Sequence, residues 1–513
     1  MKRFLWLLAL LAAASAAHPA DWPSPQRLAA HVRFLAHGLL EGRAPGTRGG
    51  RLAAEYLAAQ FAVAGARPGA EDGTYFQKVP LAGVKVADGA VVRITGGRAE
   101  PLELTWGEDF VGLPGGDGSE VSLAAPLVFV SARGFGSGGA AAPSVAARIQ
   151  GKVVVAFAGE PLQGDGSGPG GADRARPGWR EKLAAARKAG AAGILLIHSE
   201  QALGYPWEAV RAAWDREVAV LREEASPDLR IAGWLSWKAA ERMLARAGHS
   251  AQELWKTAER KPPALPLMLE VRGRISYTTR RFDSPNVVAA IPGSAPGRRG
   301  ETVVFLAHWD HLGAQPGGDG YVYNGAVDNA AACAVLLELA RLWSSLEKKP
   351  ARTALFVAAT AEEPGQAGTR WYLRHPVAPL EKTRLILSFD SLLPAGLPGS
   401  VVVAGPQEAG VWTQLRDAAR RLRLKIEPGR QPGGELCGSP YLFARAGVPA
   451  FRVQPGETLA GRQGDSGAGA WQAFVRGHYH RPSDEVRDEW DYAGLARIVE
   501  FAFLAGRMAA DLP

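Results

Sequence analysis

What this chain has little of narrows it first. Its 513 residues contain two cysteines, Cys333 and Cys437. Two thiols at unrelated spacing make neither a zinc finger nor a ribbon, so a metal site built on cysteine is excluded. Cys333 falls in an apolar helical pattern and reads as a buried free thiol. Like charges never gather in a block of about five or more, and the net charge of +8 is scattered, with two cations in Lys2 and Arg3. No nucleic-acid partner is expected from that pattern. Uninterrupted apolar runs stay short of the roughly 18 residues that span a bilayer, so no stable membrane insertion is expected. No period of roughly 20–50 residues repeats, which excludes solenoids and propellers.

What is present suits a large folded chain. Hydrophobic residues make up 47% and charged residues 21%, enough to bury a core in two or three domains. The 62 glycines and 36 prolines imply many turns, and without a G-X-Y period they do not imply collagen. Lys2-Arg3, the apolar run Phe4–Ala14 and the small residues Ala14-Ser15-Ala16-Ala17 form the pattern of a secretory signal over residues 1–17. The mature protein is expected to be exported, periplasmic or secreted.

Along the chain, Pro23–Gly42 and Gly50–Gly65 read as helices, with Leu52, Tyr56, Leu57, Phe61 and Ala64 at helical spacing. Val79–Leu113 alternates apolar and polar residues, as short strands do. Residues 114–178 turn rich in Gly, Ala, Ser and Pro, with a strand signal at Lys152–Phe157. A helix at Arg180–Lys188 and a buried strand at Gly193–Ile197 follow. Gly166–Gly171 matches G-x-G-x-x-G, but Pro169 lies inside it and no helix opens after it, so a dinucleotide site is rejected. From Ser284 onward, Asn286–Ile291, Thr302–Ala307, Thr353–Thr360, Arg384–Phe389 and Val401–Ala404 are short apolar runs. They alternate with helical patterns such as Ala330–Leu346, and Tyr492–Ala510 reads as a closing helix. That alternation predicts an α/β fold with a mostly parallel central sheet flanked by helices.

Ligands of such sheets bind beyond the carboxyl ends of the strands. Thr302–Ala307 runs into His308-Trp-Asp310-His311, Thr353–Thr360 into Glu362-Glu363, and Arg384–Phe389 into Asp390. Loop positions add Asp328 and His480. Taken singly, a Glu-Glu pair is usually a solvated face, and Asp328 could cap the helix that follows it. Taken together, acids and histidines at successive strand ends point to a metal site. Two histidines and three carboxylates can hold two zinc ions if one carboxylate bridges, with a further carboxylate free to move protons.

These segments resemble the M28 family of zinc aminopeptidases and carboxypeptidases. The resemblance rests on Ala307-His-Trp-Asp-His-Leu-Gly313, Gly325-Ala-Val-Asp-Asn329, Ala361-Glu-Glu363, Phe389-Asp390 and Tyr479-His-Arg-Pro-Ser-Asp484. Leu40-Glu-Gly-Arg-Ala-Pro-Gly-Thr47 and Asp72-Gly-Thr-Tyr-Phe-Gln77 are similar to the family's N-terminal signature. Gly151-Lys-Val-Val154 and Ala189-Gly-Ala-Ala-Gly193 are similar to the β-rich protease-associated domain often inserted into it. The resemblance implies a zinc-peptidase (phosphorylase/hydrolase-like) fold, with residues 18–114 opening the peptidase domain, 115–265 forming the insert and 266–513 carrying catalysis. The insert is expected to restrict access for large substrates.

Carried over by residue, the resemblance makes His308 and Asp390 ligands of one zinc, Glu363 and His480 ligands of the other, and Asp328 the bridge. Glu362 would be the general base, Asp310 would hydrogen-bond the free nitrogen of His308, and Tyr479 would help stabilise the oxyanion. It also implies a cis peptide between Asp328 and Asn329. The chain departs from the family at Gly438-Ser439-Pro440-Tyr441, where many relatives carry an aspartate at the position of Pro440. The activity implied is two-zinc exopeptidase action on peptide substrates, as an aminopeptidase ahead of a carboxypeptidase. A single-zinc enzyme like the glutaminyl cyclases and a non-catalytic receptor-like relative are the alternatives.

Overall fold

The structure is a computed structural model that describes residues 22–512 except 98–99, 116–117, 137–139, 160–177, 226–227, 258–262, 316–320, 364, 429–437 and 461–465. The leader pattern at 1–17, the Gly166–Gly171 match and Cys437 lie outside the described residues.

Four strands form the centre of the main sheet. Thr353–Ala359, Thr302–His308, Thr383–Ser388 and Ala450–Pro455 lie side by side in that order and run parallel. Antiparallel neighbours flank them, Ala264–Ile291 on one side and Ser400–Ala404 on the other. Every residue of Thr302–His308 is buried, as expected of a strand covered on both faces. Its side chains alternate between two cores. Val303 and Phe305 face a cluster built with the helices Pro25–Leu35, Arg48–Val63, Ala331–Ser345 and Ala493–Asp511. Val304 and Leu306 face Tyr372 and Phe443, carried by the helices Ala367–Arg374 and Ser439–Arg445. This is the two-residue period of a strand expressed in packing.

Helix limits follow local chemistry. Ser24 accepts from the amide of Arg27 and Pro25 takes the first turn, while Thr47 accepts from the amide of Gly50. The helix expected over Pro23–Gly42 stops at Leu35. Gly38–Arg43 coil into a tighter turn in which Glu41, Gly42 and Arg43 have positive φ. That turn drives the Arg43 side chain inward.

A second sheet has its own core. Glu120–Val130, Val153–Phe157, Gly193–Ile197 and Ile231–Leu235 are parallel neighbours, and Phe110–Pro114 closes the edge antiparallel. The sheet therefore takes strands from before residue 115. It also shares a strand with the main sheet. Ala264–Ile291 is 28 residues long; its first part pairs with Glu120–Val130 and Val91–Gly96, its last part with Phe76–Val86 and Thr353–Ala359. Only Asn286–Ile291 of it is legible in the sequence, because the stretch between Arg272 and Asp283 is rich in Arg and lacks an apolar run. Among the described residues no helix is long and apolar enough to cross a membrane.

Candidate metal centre

Because the four central strands are parallel, their carboxyl ends meet along one edge. Thr302–His308 ends in His308 itself. Thr353–Ala359 continues through Ala361, whose φ of 49° turns the chain immediately before Glu362 and Glu363. Thr383–Ser388 leads two residues on to Asp390. Asp328 enters from a turn ahead of Ala331–Ser345, and the Asp328–Asn329 peptide in that turn is cis. Gly325 begins the turn at φ +57°; a Cβ there would lie 2.2 Å from the Asp328 carbonyl oxygen and 2.6 Å from the His311 ring. Only glycine fits.

Two buried side chains brace these loops. The Arg43 guanidinium donates to the carbonyls of Trp309 at 2.9 Å, Asn324 at 2.5 Å and Gly325 at 3.0 Å, and to that of Leu35. It thereby ties the His308 loop to the Asp328 loop. Asp484 accepts from the amides of Val327 at 2.9 Å and Asp328 at 3.1 Å.

The candidate ligands fall into two groups that share Asp328. In one, His308 Nε2 lies 3.4 Å from Asp328 Oδ1 and 3.6 Å from Asp390 Oδ1. In the other, His480 Nε2 lies 3.3 Å from Asp328 Oδ2 and 3.2 Å from Glu363 Oε1. Donor atoms held about 2.0–2.1 Å from a tetrahedral zinc are separated by about 3.3 Å, so these spacings suit one ion in each group. Both rings are aimed from behind. His308 Nδ1 meets the carbonyl of Asp310 at 3.1 Å, and His480 Nδ1 meets the carbonyl of Ala209 at 3.1 Å. A proton on Nδ1 leaves Nε2 with a free lone pair.

Charge balance also asks for cations. Asp310, Asp328, Glu362, Glu363, Asp390 and Asp484 crowd one pocket. Burial, reinforced by Glu363, Asp390 and Asp310, pushes the Glu362 carboxyl up to about 7 against the pull of His308. Burial also raises Asp310 to about 7. Asp390 goes the other way: Arg452, 3.1 Å away, and His308 outweigh burial and hold it below the usual range. Glu363 Oε1, His480 Nε2 and both nitrogens of His311 are buried without a hydrogen-bond partner. Unpartnered buried donors and acceptors are costly, and a divalent ion between them removes that cost.

The structure brings together His308, Asp328, Glu362, Glu363, Asp390, His480 and Tyr479, and corrects one expectation. The Asp310 carboxylate is not the hydrogen-bond partner of His308: it lies 3.9 Å from Nδ1 and instead accepts from the amide of Glu362 at 3.1 and 3.2 Å. The main-chain carbonyl of the same residue takes the imidazole, which leaves the carboxylate to pin the loop of the glutamate pair. Tyr479 stacks on His480, centroids 4.0 Å apart. Glu362 Oε1 accepts from Gln366 Nε2 at 3.0 Å, and Gln366 in turn contacts Arg180 of the helix Trp179–Lys188. Pro440 sits in the first turn of Ser439–Arg445, and a Cβ on Gly438 would be 3.9 Å from Asp390 Oδ2, so the departure from the family pattern lies in the wall of the site. Cys333 is a buried free thiol that donates to the carbonyl of His308 at 3.1 Å, with burial pushing it up to about 12.

The sequence assigns no site role to Arg43 or Ala209, and it offers His311 only as one of the donors that follow Thr302–Ala307. Arg43 lies in the Leu40–Thr47 segment and His311 beside Asp310, which are signals of place without role. Ala209 acts through its carbonyl, and no residue type signals that.

Residues 286–505 match Peptidase family M28. No curated protein sequence matches the chain. Among solved structures, an aminopeptidase from Aneurinibacillus sp. strain AM-1 is similar at 17% identity, with 94% of this chain and 93% of that chain covered and a TM-score of 0.54. A peptidase M28 precursor from Shewanella amazonensis has 18% identity over 95% of this chain and 96% of that chain, at a TM-score of 0.48. A zinc aminopeptidase from Bacillus subtilis has 15% identity over 94% of each chain, at 0.46. At such identities the first likeness speaks for the fold alone, and the other two add nothing to it. The match to peptidase family M28 spans residues 286–505, the stretch that carries every candidate ligand, and the protein is a metallopeptidase.

Proposed function

We propose that the protein is an exported two-zinc exopeptidase that removes residues from the amino end of peptides. One observation carries the two-metal reading: the two oxygens of Asp328 face different histidines, His308 and His480, at 3.4 and 3.3 Å. Zinc held by His308 and Asp390 on one side and by Glu363 and His480 on the other, with Asp328 between, would supply Lewis acidity to the scissile carbonyl and to water.

The chain's own groups do the rest. Glu362 stands outside both ligand sets, takes the proton of the attacking water and returns it to the leaving amine. Gln366 holds one of its oxygens, which leaves the other for that transfer. Burial, with the carboxylates of Asp328, Glu363 and Asp390, pushes the Tyr479 phenol well above its ordinary value, so it stays a hydrogen-bond donor for the oxygen that gains charge. Residues 115–265 act as a protease-associated insert that crowds the site, with Ala209 and Arg180 at its margin, and restricts it to chain ends.

Metal analysis with paired substrate assays tests this. About two zinc per chain and cleavage of aminoacyl substrates support it. Cleavage of N-blocked substrates from the carboxyl end makes the enzyme a carboxypeptidase. One zinc with cyclising activity, or no metal, favours the cyclase-like or receptor-like alternative. An exported protein whose mature amino terminus begins near residue 18 supports the leader reading.

A further inference from the structure

Four histidines are buried among the described residues: His198, His308, His311 and His480. Three have a ring nitrogen on a carbonyl, of Tyr205, Asp310 and Ala209 for His198, His308 and His480 respectively. His311 has neither nitrogen satisfied. A buried imidazole with no partner is costly unless something absent from the protein atoms receives it.

Its direction shows what that is. His311 Nδ1 lies 3.3 Å from Glu363 Oε1, and the same oxygen lies 3.2 Å from His480 Nε2. All three atoms are buried and lack hydrogen bonds. His311, Asp328 and Glu363 each offer a donor atom within 4.8 Å of the others. The His311–Glu363 spacing falls within the 3.2–3.6 Å range of the other donor separations of the site. Gly325 is bare because the His311 ring fills the space its Cβ would occupy, so the ring is locked in this direction.

We infer that His311 Nδ1 is a further protein ligand of the ion shared by Asp328, Glu363 and His480. This rests on the two-metal reading above. The two ions then differ. One has four protein ligands, two of them imidazoles; the other has His308, Asp328 and Asp390 and keeps an open position. The four-ligand ion is the tightly held one, and the three-ligand ion is the one that exchanges.

The test is proton NMR of the cobalt-substituted wild-type enzyme, in which each coordinated imidazole bearing an N–H gives one exchangeable, strongly shifted signal. Three such signals are expected, from His308, His480 and His311; two signals overturn the inference. Binding of fewer than two metal ions would instead defeat the two-metal reading. A second measurement uses His311→Gln. Graded chelation of wild type should remove one ion well before the other, whereas in the variant both should leave together, with the tighter affinity weakened more than about 100-fold, because loss of an outer-sphere partner alone typically costs about 10–100-fold. Unchanged affinities for both ions in the folded variant would make His311 a hydrogen-bond partner of Glu363 and would overturn the assignment. Failure of the variant to fold leaves the signal count in the wild type to decide.

Discussion

In the main sheet, Thr302–His308, Thr353–Ala359 and Thr383–Ser388 run parallel and lead into His308, the Glu362–Glu363 pair and Asp390. In the second sheet, Val153–Phe157 and Gly193–Ile197 also run parallel, buried at every position, and lead into Ala158 and His198. Backbone architecture is alike in the two; the chemistry at the strand ends is not. His198 spends Nε2 on the Tyr205 carbonyl at 3.0 Å, and burial lowers it to about 4, so it stays neutral and structural. The contrast teaches that a parallel sheet supplies an edge where a site can be built, and that only a convergence of several donors makes one.

The comparison can be broken most severely by removing metal. Chelation should abolish peptidase activity and zinc or cobalt should restore it, since the donor set is imidazole and carboxylate without thiolate. Full activity after verified removal would place the two strand edges on an equal footing. Next in size, Glu362→Gln should keep its metal and lose about 10²–10⁴ in kcat, while Glu363→Gln should lose metal; kinetics and metal content on both variants decide which glutamate does which job. The opposite pairing of results would make Glu363 the base and Glu362 the ligand.

Stability effects sharpen the contrast further. Arg43→Met should destabilise the fold by about 3–5 kcal/mol, because it strips donors from several buried carbonyls at once. Denaturant unfolding measures this, and a loss under about 1 kcal/mol would show that Arg43 does not brace the ligand loops. The smallest effect belongs to the second sheet. His198 binds a proton more readily unfolded, near 6.5, than folded, near 4, so its contribution is full above about 6.5 and is lost as pH falls toward 4. Between pH 7 and pH 5 wild type should lose about 2 kcal/mol that His198→Gln does not lose, with turnover at neutral pH unchanged. Identical pH profiles of unfolding would remove His198 from that account.

Much of this was legible in the residues. The Thr302–Ala307 and Ala330–Leu346 patterns lie within a residue or so of the observed Thr302–His308 and Ala331–Ser345, since both are largely buried and their composition records it. Donors at strand ends were legible because several of them follow successive apolar runs; a single one, such as His198, marks no site. The rest depended on groups without a signature. Ala209 contributes a carbonyl, Asp310 could turn its carboxylate toward either of two partners, and the long shared strand has a polar middle. Its continuity comes from pairing with Phe76–Val86, which begins almost 190 residues earlier in the chain.

That shared strand has a mechanical meaning. Ala264–Ile291 is paired along its length apart from an irregularity between Pro266 and Glu270, so it is a girder common to both halves of the molecule. A hinge needs a few residues free to change their backbone angles, and a laddered strand has none to lend. Within the main sheet, the exposed ion pairs Arg280–Glu217 at 2.7 Å and Arg222–Asp283 at 3.0 Å link the strand's last part to the two ends of Val218–Leu221, a further partner of Phe76–Val86. A movement of one sheet against the other would therefore have to break main-chain ladder bonds, so the two sheets hold one relative position as a frame does.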